Sequence, residues 1–179
     1  MKKALMIASV LLVAVVSTAC INNIAVQELN NKAAEYMQKG DYESAMNRLQ
    51  ASLDLDSTMY ETYYNLGIAS INAKKYEKAI EAFEGGIKIK PDFEDFYYSL
   101  GVAQADLADE LVEVTEDKKE ISDEDKAKAI EYKKSAVENL TKYLELKPTA
   151  DDKQTIEELI AESNSFINGD EPTAKEDAE

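Results

Sequence analysis

Apolar residues recur along this chain at helical spacing, within long segments that are otherwise polar. Such segments predict amphipathic helices, because residues three and four positions apart lie on one face of a helix. Four of these segments precede Pro91, over residues 24–39, 42–53, 60–74 and 76–89. Pro91 ends the fourth, since its ring disfavours helical geometry at Lys90 and it lacks an amide donor. The pattern therefore predicts an all-α chain of paired helices.

The same residue types return after a fixed interval of 34 positions. Leu66 and Gly67 recur as Leu100 and Gly101, and Tyr42, Ala45 and Leu49 recur as Tyr76, Ala79 and Phe83. A period of this length indicates helical hairpins that cannot bury their own apolar faces and must stack to form a core. Such an array implies binding rather than catalysis.

The period is interrupted in the third unit. The next counterparts of Ala79, Phe83 and Pro91 come 57 positions later, as Ala136, Leu140 and Pro148. The difference corresponds to 23 inserted residues, roughly 109–132, which contain neither glycine nor proline and so predict longer helices on both arms of the hairpin. Ser122 followed by Asp125 predicts a cap at the start of the second arm. Shared between two arms at about 1.5 Å per residue, the insert would project the hairpin by about 15–18 Å.

Two segments follow the third hairpin. Residues 150–167 show one more amphipathic pattern, which predicts a terminal helix that covers the open face of the last unit. Residues 168–179 are acidic and poor in apolar side chains, which predicts a disordered tail.

The second unit contains a set of residues with a familiar spacing: Tyr63, Leu66, Gly67, Tyr76, Ala79, Phe83 and Pro91. This set resembles the tetratricopeptide repeat, a helix-turn-helix unit of 34 residues, and the resemblance extends over roughly residues 25–148. Ser70 and Gly86 depart from the family pattern, and the first copy has Lys32 and Ala33 where the family has Leu-Gly. The resemblance implies an α-solenoid of three hairpins, the third elongated by its insert, with a C-terminal capping helix.

In that family, the first helices of successive repeats line a concave groove that holds a partner peptide or helix. The resemblance places twelve residues on that side: Asn30, Asn31, Ala34 and Met37; Tyr64, Asn65, Ile68 and Ile71; and Tyr98, Ser99, Val102 and Ala105. Well-known members clamp a partner's terminal carboxylate with basic residues and asparagines. Asn65 fits that pattern, but Asp95 and Ser99 stand where basic residues are needed, so no carboxylate clamp is expected.

Tyr64 and Tyr98 stand one repeat apart on the expected groove. Their rings and hydroxyls suit an apolar or extended segment of a protein partner. The alternative is that both tyrosines pack against the third hairpin or the last helix and bind nothing.

The first twenty residues have the layout of a secretory signal. Lys2 and Lys3 precede an apolar run over residues 4–16, and three small residues lead to Cys20, the only cysteine. The run is shorter than the ~20 apolar residues that span a bilayer. It resembles a bacterial lipoprotein signal, which implies cleavage before Cys20 and its lipidation, although Ser17 stands where that family usually has Leu. An ordinary signal peptide with a coincidental cysteine and an uncleaved apolar anchor are the alternatives.

These resemblances divide the chain into four parts: a signal peptide over 1–19, a lipidated N-terminus and linker over 20–24, a repeat domain with its capping helix over 25–167, and an acidic tail over 168–179. The full chain has a net charge of −16, and removal of residues 1–19 leaves 18 basic against 36 acidic residues. Such a charge argues against nucleic acid as a partner. Membrane attachment is therefore expected to come from the Cys20 lipid.

The sequence lacks the residues of common catalytic and metal sites. It contains no histidine or tryptophan, and its single cysteine is the expected lipid acceptor. The usual general bases, zinc ligands and nucleophile pairs are therefore missing. The pairs Asp54/Asp56 and Asp123/Asp125 lack the glycine and closing glutamate of a calcium loop. We expect no enzyme activity, no cofactor and no metal site.

Together these features predict a lipid-anchored adaptor or assembly factor on the periplasmic or extracellular face of a bacterial membrane, with a protein or peptide partner in its groove. One alternative is a scaffold that self-associates through the third hairpin, whose insert contains Leu111, Val112, Val114 and Ile121. Another is an auxiliary component of an envelope transport system that captures a small molecule.

Overall fold

The computed structural model describes residues 23–115, 118 and 120–170. Within these residues the chain forms seven helices and no strand, which confirms the predicted all-α class. The helices are α1 (residues 23–38), α2 (Tyr42–Leu55), α3 (Tyr60–Asn72), α4 (Tyr76–Ile89), α5 (Glu94–Val112), α6 (Asp123–Leu146) and α7 (Lys153–Asn168). The predicted signal peptide, Cys20 and residues 171–179 of the predicted tail lie outside the described residues.

Local sequence explains where the helices begin and end. Gly40 has a φ of 74°, a left-handed conformation that glycine adopts without strain, and it separates α1 from α2. The Asp41 carboxylate then accepts a hydrogen bond of 3.1 Å from the Ser44 amide and caps α2. The end of α4 lies directly before Lys90 and Pro91, as predicted. The predicted start of α7 at residue 150 was three residues early, because the chain first makes a turn from Lys147 to Asp152.

The helices stack in the order of the chain. α1 packs on α2 through Ala33, Ala45 and Met46, while α3 packs on α4 and α5 on α6. The second helix of each pair also packs on the first helix of the next, so α2 contacts α3 and α4 contacts α5. α7 contacts α6 in the same way and occupies the place of a fourth first helix. This arrangement confirms the predicted array of three hairpins with a capping helix.

The insert lengthens both helices of the third hairpin, but not equally. α5 has 19 residues and α6 has 24, against 13 in α3 and 14 in α4. At about 1.5 Å per residue, α5 gains about 9 Å and α6 about 15 Å, so the expected equal division was wrong. The Ser122 hydroxyl accepts a hydrogen bond of 3.0 Å from the Asp125 amide, which confirms the predicted cap.

Phenylalanine rings fill the space between the hairpins, and two glycines make room for them. Phe83 and Phe96 are fully buried. A Cβ at Gly67 would overlap the Phe83 ring, and a Cβ at Gly86 would overlap the Phe96 ring. Gly86, a departure from the family pattern, is therefore explained by the bulky residue that the third unit packs against it.

None of the helices in the described ranges has the length and apolar character needed to cross a membrane.

Candidate functional site

The first helices of the units lie side by side and form one surface. Asn30 on α1 bonds to Thr62 on α3, the Tyr64 ring on α3 lies 5.7 Å from the Phe96 ring on α5, and Val102 on α5 lines a cavity with Leu159 on α7. We call the surface formed by α1, α3, α5 and α7 the first-helix face. It contains the positions that the sequence assigned to the groove.

At the α1 end, part of the expected site is used to hold the array together. The Asn30 amide donates a hydrogen bond of 3.1 Å to the Thr62 hydroxyl, which is buried. Met37 is half-buried against the first core cluster. Asn31 and Ala34 are exposed. This end therefore offers a small, mostly polar surface.

On α3, Tyr64 belongs to an aromatic cluster. Its ring centroid lies 6.1 Å from that of Phe83, 5.5 Å from that of Phe93 and 5.7 Å from that of Phe96. Ile68 and Ile71 are half-buried against the same core, whereas Asn65 is exposed. The Tyr64 ring thus packs within the fold while part of the side chain stays accessible.

On α5, Tyr98 packs against the third hairpin. Its ring lies 5.4 Å from the Tyr143 ring, and burial is the main cause that raises the pKa of its hydroxyl, followed by the nearby Asp152 carboxylate and the Tyr64 phenol. Both tyrosine rings thus pack against residues of the third hairpin, as the alternative prediction stated. Binding by the same side chains is a separate question.

Ser99 and Val102 differ in accessibility. Ser99 is only 4% exposed, because it lies on the packed side of α5 beside the buried Leu100, and it cannot be a contact residue in this conformation. Val102 and Ala105 are half-buried and line a cavity of about 70 Å³ between α5, α6 and α7. The accessible groove is therefore narrower at this end than the sequence implied.

A buried lysine lies beside that cavity, and sequence reasoning missed it. Lys133 is 4% exposed, and its ammonium lies 2.7 Å from the Asp109 carboxylate and 5.8 Å from the centroid of the Phe166 ring. Asp106 lines the same cavity. The sequence does show two acids three residues apart on α5, Asp106 and Asp109, which could pair with a lysine. The insert hid which residue of α6 lies opposite them, so Lys133 could not be identified as the partner.

Asp106 carries an electrostatic cost in the folded chain. Burial is the main cause that raises the pKa of its carboxyl, and the Asp109 charge adds to it, while Lys133 acts in the opposite direction. Because the folded pKa lies above that of the unfolded chain, the cost is fully present above the folded pKa, decreases as the pH falls below it, and is gone below the pKa of the unfolded chain.

Asp106→Asn is accordingly expected to raise the midpoint of thermal unfolding at pH 7 by about 1–2 °C, which corresponds to up to ~0.5 kcal/mol, because solvent screens the charge of this partly exposed carboxylate. The gain should vanish in acid, below the pKa of the unfolded carboxyl. The control is Asp151→Asn, which removes a charge from an exposed turn. Thermal unfolding followed by circular dichroism at several pH values measures both, and a loss of stability in Asp106→Asn at pH 7 would contradict the assignment.

Comparison with known proteins locates the repeats. Residues 36–105 match the family model described as tetratricopeptide repeat. No curated protein sequence matches the chain significantly.

Several solved structures share the fold at low sequence identity. The second tetratricopeptide domain of human RPAP3, in complex with an HSP70 peptide, has 13% identity and a TM-score of 0.61, with 80% of this chain and 98% of that chain covered. The TPR2B domain of yeast Sti1, in complex with pHsp70, has 16% identity and a TM-score of 0.55, with coverage of 79% and 98%. The Yersinia enterocolitica type III secretion chaperone SycD, with a peptide of the translocator YopD, has 19% identity and a TM-score of 0.52, with coverage of 80% and 89%.

Proposed function

Because this chain is a tetratricopeptide repeat protein, we propose that its first-helix face binds an extended segment of another protein. We further propose that the chain is a membrane-anchored adaptor or assembly factor in the bacterial cell envelope. The fold is typically a non-catalytic interaction module. Three proteins of similar fold, human RPAP3, yeast Sti1 and the Yersinia chaperone, were solved with peptides or chaperone partners bound.

One observation supports binding in this chain above the others. A row of half-buried apolar and aromatic side chains crosses α3 and α5, formed by Tyr64, Ile68, Ile71, Tyr98 and Val102. The exposed amide of Asn65 stands beside this row. An extended peptide needs shallow apolar contacts for alternate side chains and amides that both donate to and accept from its backbone. The first-helix face supplies both.

The membrane anchor is supported by the sequence. The basic start, the apolar run over residues 4–16 and Cys20 form a lipoprotein-like signal, and the described helices begin three residues after that cysteine. A lipid on Cys20 would place the first repeat close to the membrane surface. The acidic character of the chain suits this arrangement, because it keeps the repeats away from anionic headgroups.

The two alternatives receive less support. Val114 at the tip of the third hairpin is 61% exposed, but Leu111, Val112 and Ile121 are half-buried, so the described part of the tip offers too little apolar surface for a self-associating patch. The cavity beside Val102 is about 70 Å³. Small-molecule sites usually need about 300 Å³ or more, which argues against capture of a transported solute there.

Photo-crosslinking in intact cells tests the proposal. A photoreactive amino acid at Asn65 is expected to crosslink a partner protein, because Asn65 is exposed beside the apolar row and its replacement leaves the packed rings intact. A matched probe at Glu120, exposed at the hairpin tip, is the control. Mass spectrometry identifies the products.

Two outcomes separate the functions, and a variant tests the anchor. A partner crosslinked from Asn65 and absent from Glu120 supports the adaptor. Self-crosslinks from Glu120 alone would support the scaffold and contradict binding at the first-helix face. The Asn65 probe in a Cys20→Ser chain tests the anchor, since an envelope adaptor should lose its partner once it leaves the membrane.

A further inference from the structure

The first-helix face has an unusual charge distribution. None of the twelve groove positions predicted on α1, α3 and α5 is charged. Within α1, α3 and α5, the charged residues that stand three or four positions from a groove position are Glu28, Glu35, Glu61, Glu94, Asp95, Asp106 and Asp109. All seven are carboxylates, and four of them lie on α5.

The lysines near the α5 end are already engaged. The Lys133 ammonium lies 2.7 Å from Asp109, and the Lys147 ammonium lies 3.8 Å from Glu94 and 5.6 Å from the centroid of the Tyr143 ring. Within the described ranges, neither Asp95 nor Asp106 forms a salt bridge, and both are half-buried. Lys133 acts on Asp106 and Lys147 on Asp95 only at longer range, because the direct ion pairs of these lysines are with Asp109 and Glu94. The oxygens of Asp95 and Asp106 can therefore still pair with a cation from outside the chain.

Asp106 also stands next to apolar side chains that a partner would contact. It lines the cavity with the apolar Val102, Ala105 and Leu159, so a cationic side chain that reaches it would pass over apolar surface. The charged groups of this cavity are three carboxylates, Asp106, Asp109 and Glu162, against the single ammonium of Lys133, so the cavity stays acidic. Lysine and arginine have long apolar stems that suit such a path. The cost of burying the Asp106 charge, which raises its pKa, would be offset by the incoming cation.

We infer that the segment bound by the first-helix face is basic: its apolar side chains contact the row on α3 and α5, and its lysine or arginine side chains meet Asp95 and Asp106. This inference rests on the proposed function, since it specifies the partner of the same face. An acidic segment such as the SGPTIEEVD peptide bound by the human RPAP3 domain would find no basic group at the predicted groove positions. It would also be repelled by a chain of net charge −16.

Selection from a random library of displayed peptides of about twelve residues tests the inference, with the purified full-length chain in detergent as bait. Three baits are used in parallel. The first is the natural chain, the second carries Asp95→Asn with Asp106→Asn, and the third carries Glu131→Gln with Glu138→Gln. The third removes the same charge from exposed positions on α6. It therefore separates the first-helix face from the general acidity of the chain.

The expected result is enrichment of lysine and arginine, together with apolar residues, on the natural chain and on the Glu131/Glu138 variant. A selected peptide should bind the Asp95/Asp106 variant about 3- to 10-fold more weakly, as the loss of two partly exposed ion pairs would cause. The difference should shrink as salt is added.

Two results overturn the inference alone. If the selected peptides have no excess of basic residues, the face binds segments of another charge class. If basic peptides bind the Asp95/Asp106 variant as well as the natural chain, they are attracted only by the overall charge of the chain. If no peptide is selected on any of the three baits, both the inference and the proposed function fail.

Discussion

Phe83→Ala is expected to lower the free energy of unfolding by about 3–5 kcal/mol, the usual cost of removing a fully buried phenylalanine. The Phe83 side chain is 0% exposed, and it fills the space that Gly67 leaves open on α3. Its ring also lies 6.1 Å from Tyr64 and 6.3 Å from Phe96, so its loss weakens the contact between the second and third hairpins. Urea unfolding followed by circular dichroism measures the change.

Two further variants make this prediction specific. Phe93→Ala removes a half-buried ring from the same cluster and should cost clearly less. Gly67→Ala should be destabilising in the natural chain but much less so in the Phe83→Ala background, with a coupling free energy of about 0.5–3 kcal/mol. Equal costs of Gly67→Ala in the two backgrounds would mean that the ring and the glycine are not in contact.

Lys133→Glu is expected to destabilise the chain by about 3–5 kcal/mol, a typical cost of an uncompensated buried charge. Lys133 is 4% exposed and its ammonium lies 2.7 Å from Asp109, with Asp106 on the same cavity. A glutamate there would bury a carboxylate beside two others and lose the contact with the Phe166 ring. Chemical unfolding gives the free energy, and hydrogen exchange in α7 shows whether that helix detaches first.

The neighbouring residue provides the control. Lys134 is exposed, so Lys134→Glu makes the same change of charge one position away and should alter stability by less than about 0.5 kcal/mol. Lys133→Met keeps most of the shape and removes the charge, which separates packing from electrostatics. If Lys133→Glu and Lys134→Glu behaved alike, Lys133 would not be buried in solution.

Much of the fold was predictable because the residues that recur with the repeat are the ones that form the core. The return of Leu66 and Gly67 as Leu100 and Gly101 predicted the register of α5, and the break between Phe83 and Leu140 located the insert. The point at which α5 ends was not predictable. The chain leaves the helix after Val112, and the Lys118 ammonium donates a hydrogen bond to the Leu111 carbonyl. Glycine and proline are the residues that usually mark the end of a helix, and the insert contains neither, so the sequence does not indicate that α5 ends at Val112.

The candidate site was predicted less well than the fold. The resemblance to the repeat family placed Tyr64 and Tyr98 on the expected face, but it could not show that Phe93 and Tyr143 would pack against them. Both of those rings come from outside the helices that carry the tyrosines, Phe93 from the residue before α5 and Tyr143 from α6. Ser99 was assigned to the groove by the same resemblance, although it is buried on α5.

The joints between the hairpins are formed by different kinds of side chain. The second and third hairpins meet through the fully buried rings Phe83 and Phe96 and the aromatic side chains around them. The first and second meet through buried aliphatic side chains, with Tyr36 and Tyr63 only partly buried beside them, and through the hydrogen bond between Asn30 and Thr62. The first joint also contains the Ser52 hydroxyl, which is buried without a hydrogen-bond partner among the described residues. In a stack held by nearest-neighbour contacts, the weaker joint opens first. A pulling force applied through the N-terminal end would therefore detach the first hairpin before it disturbed the aromatic joint, and the apolar row on α3 and α5 would stay intact.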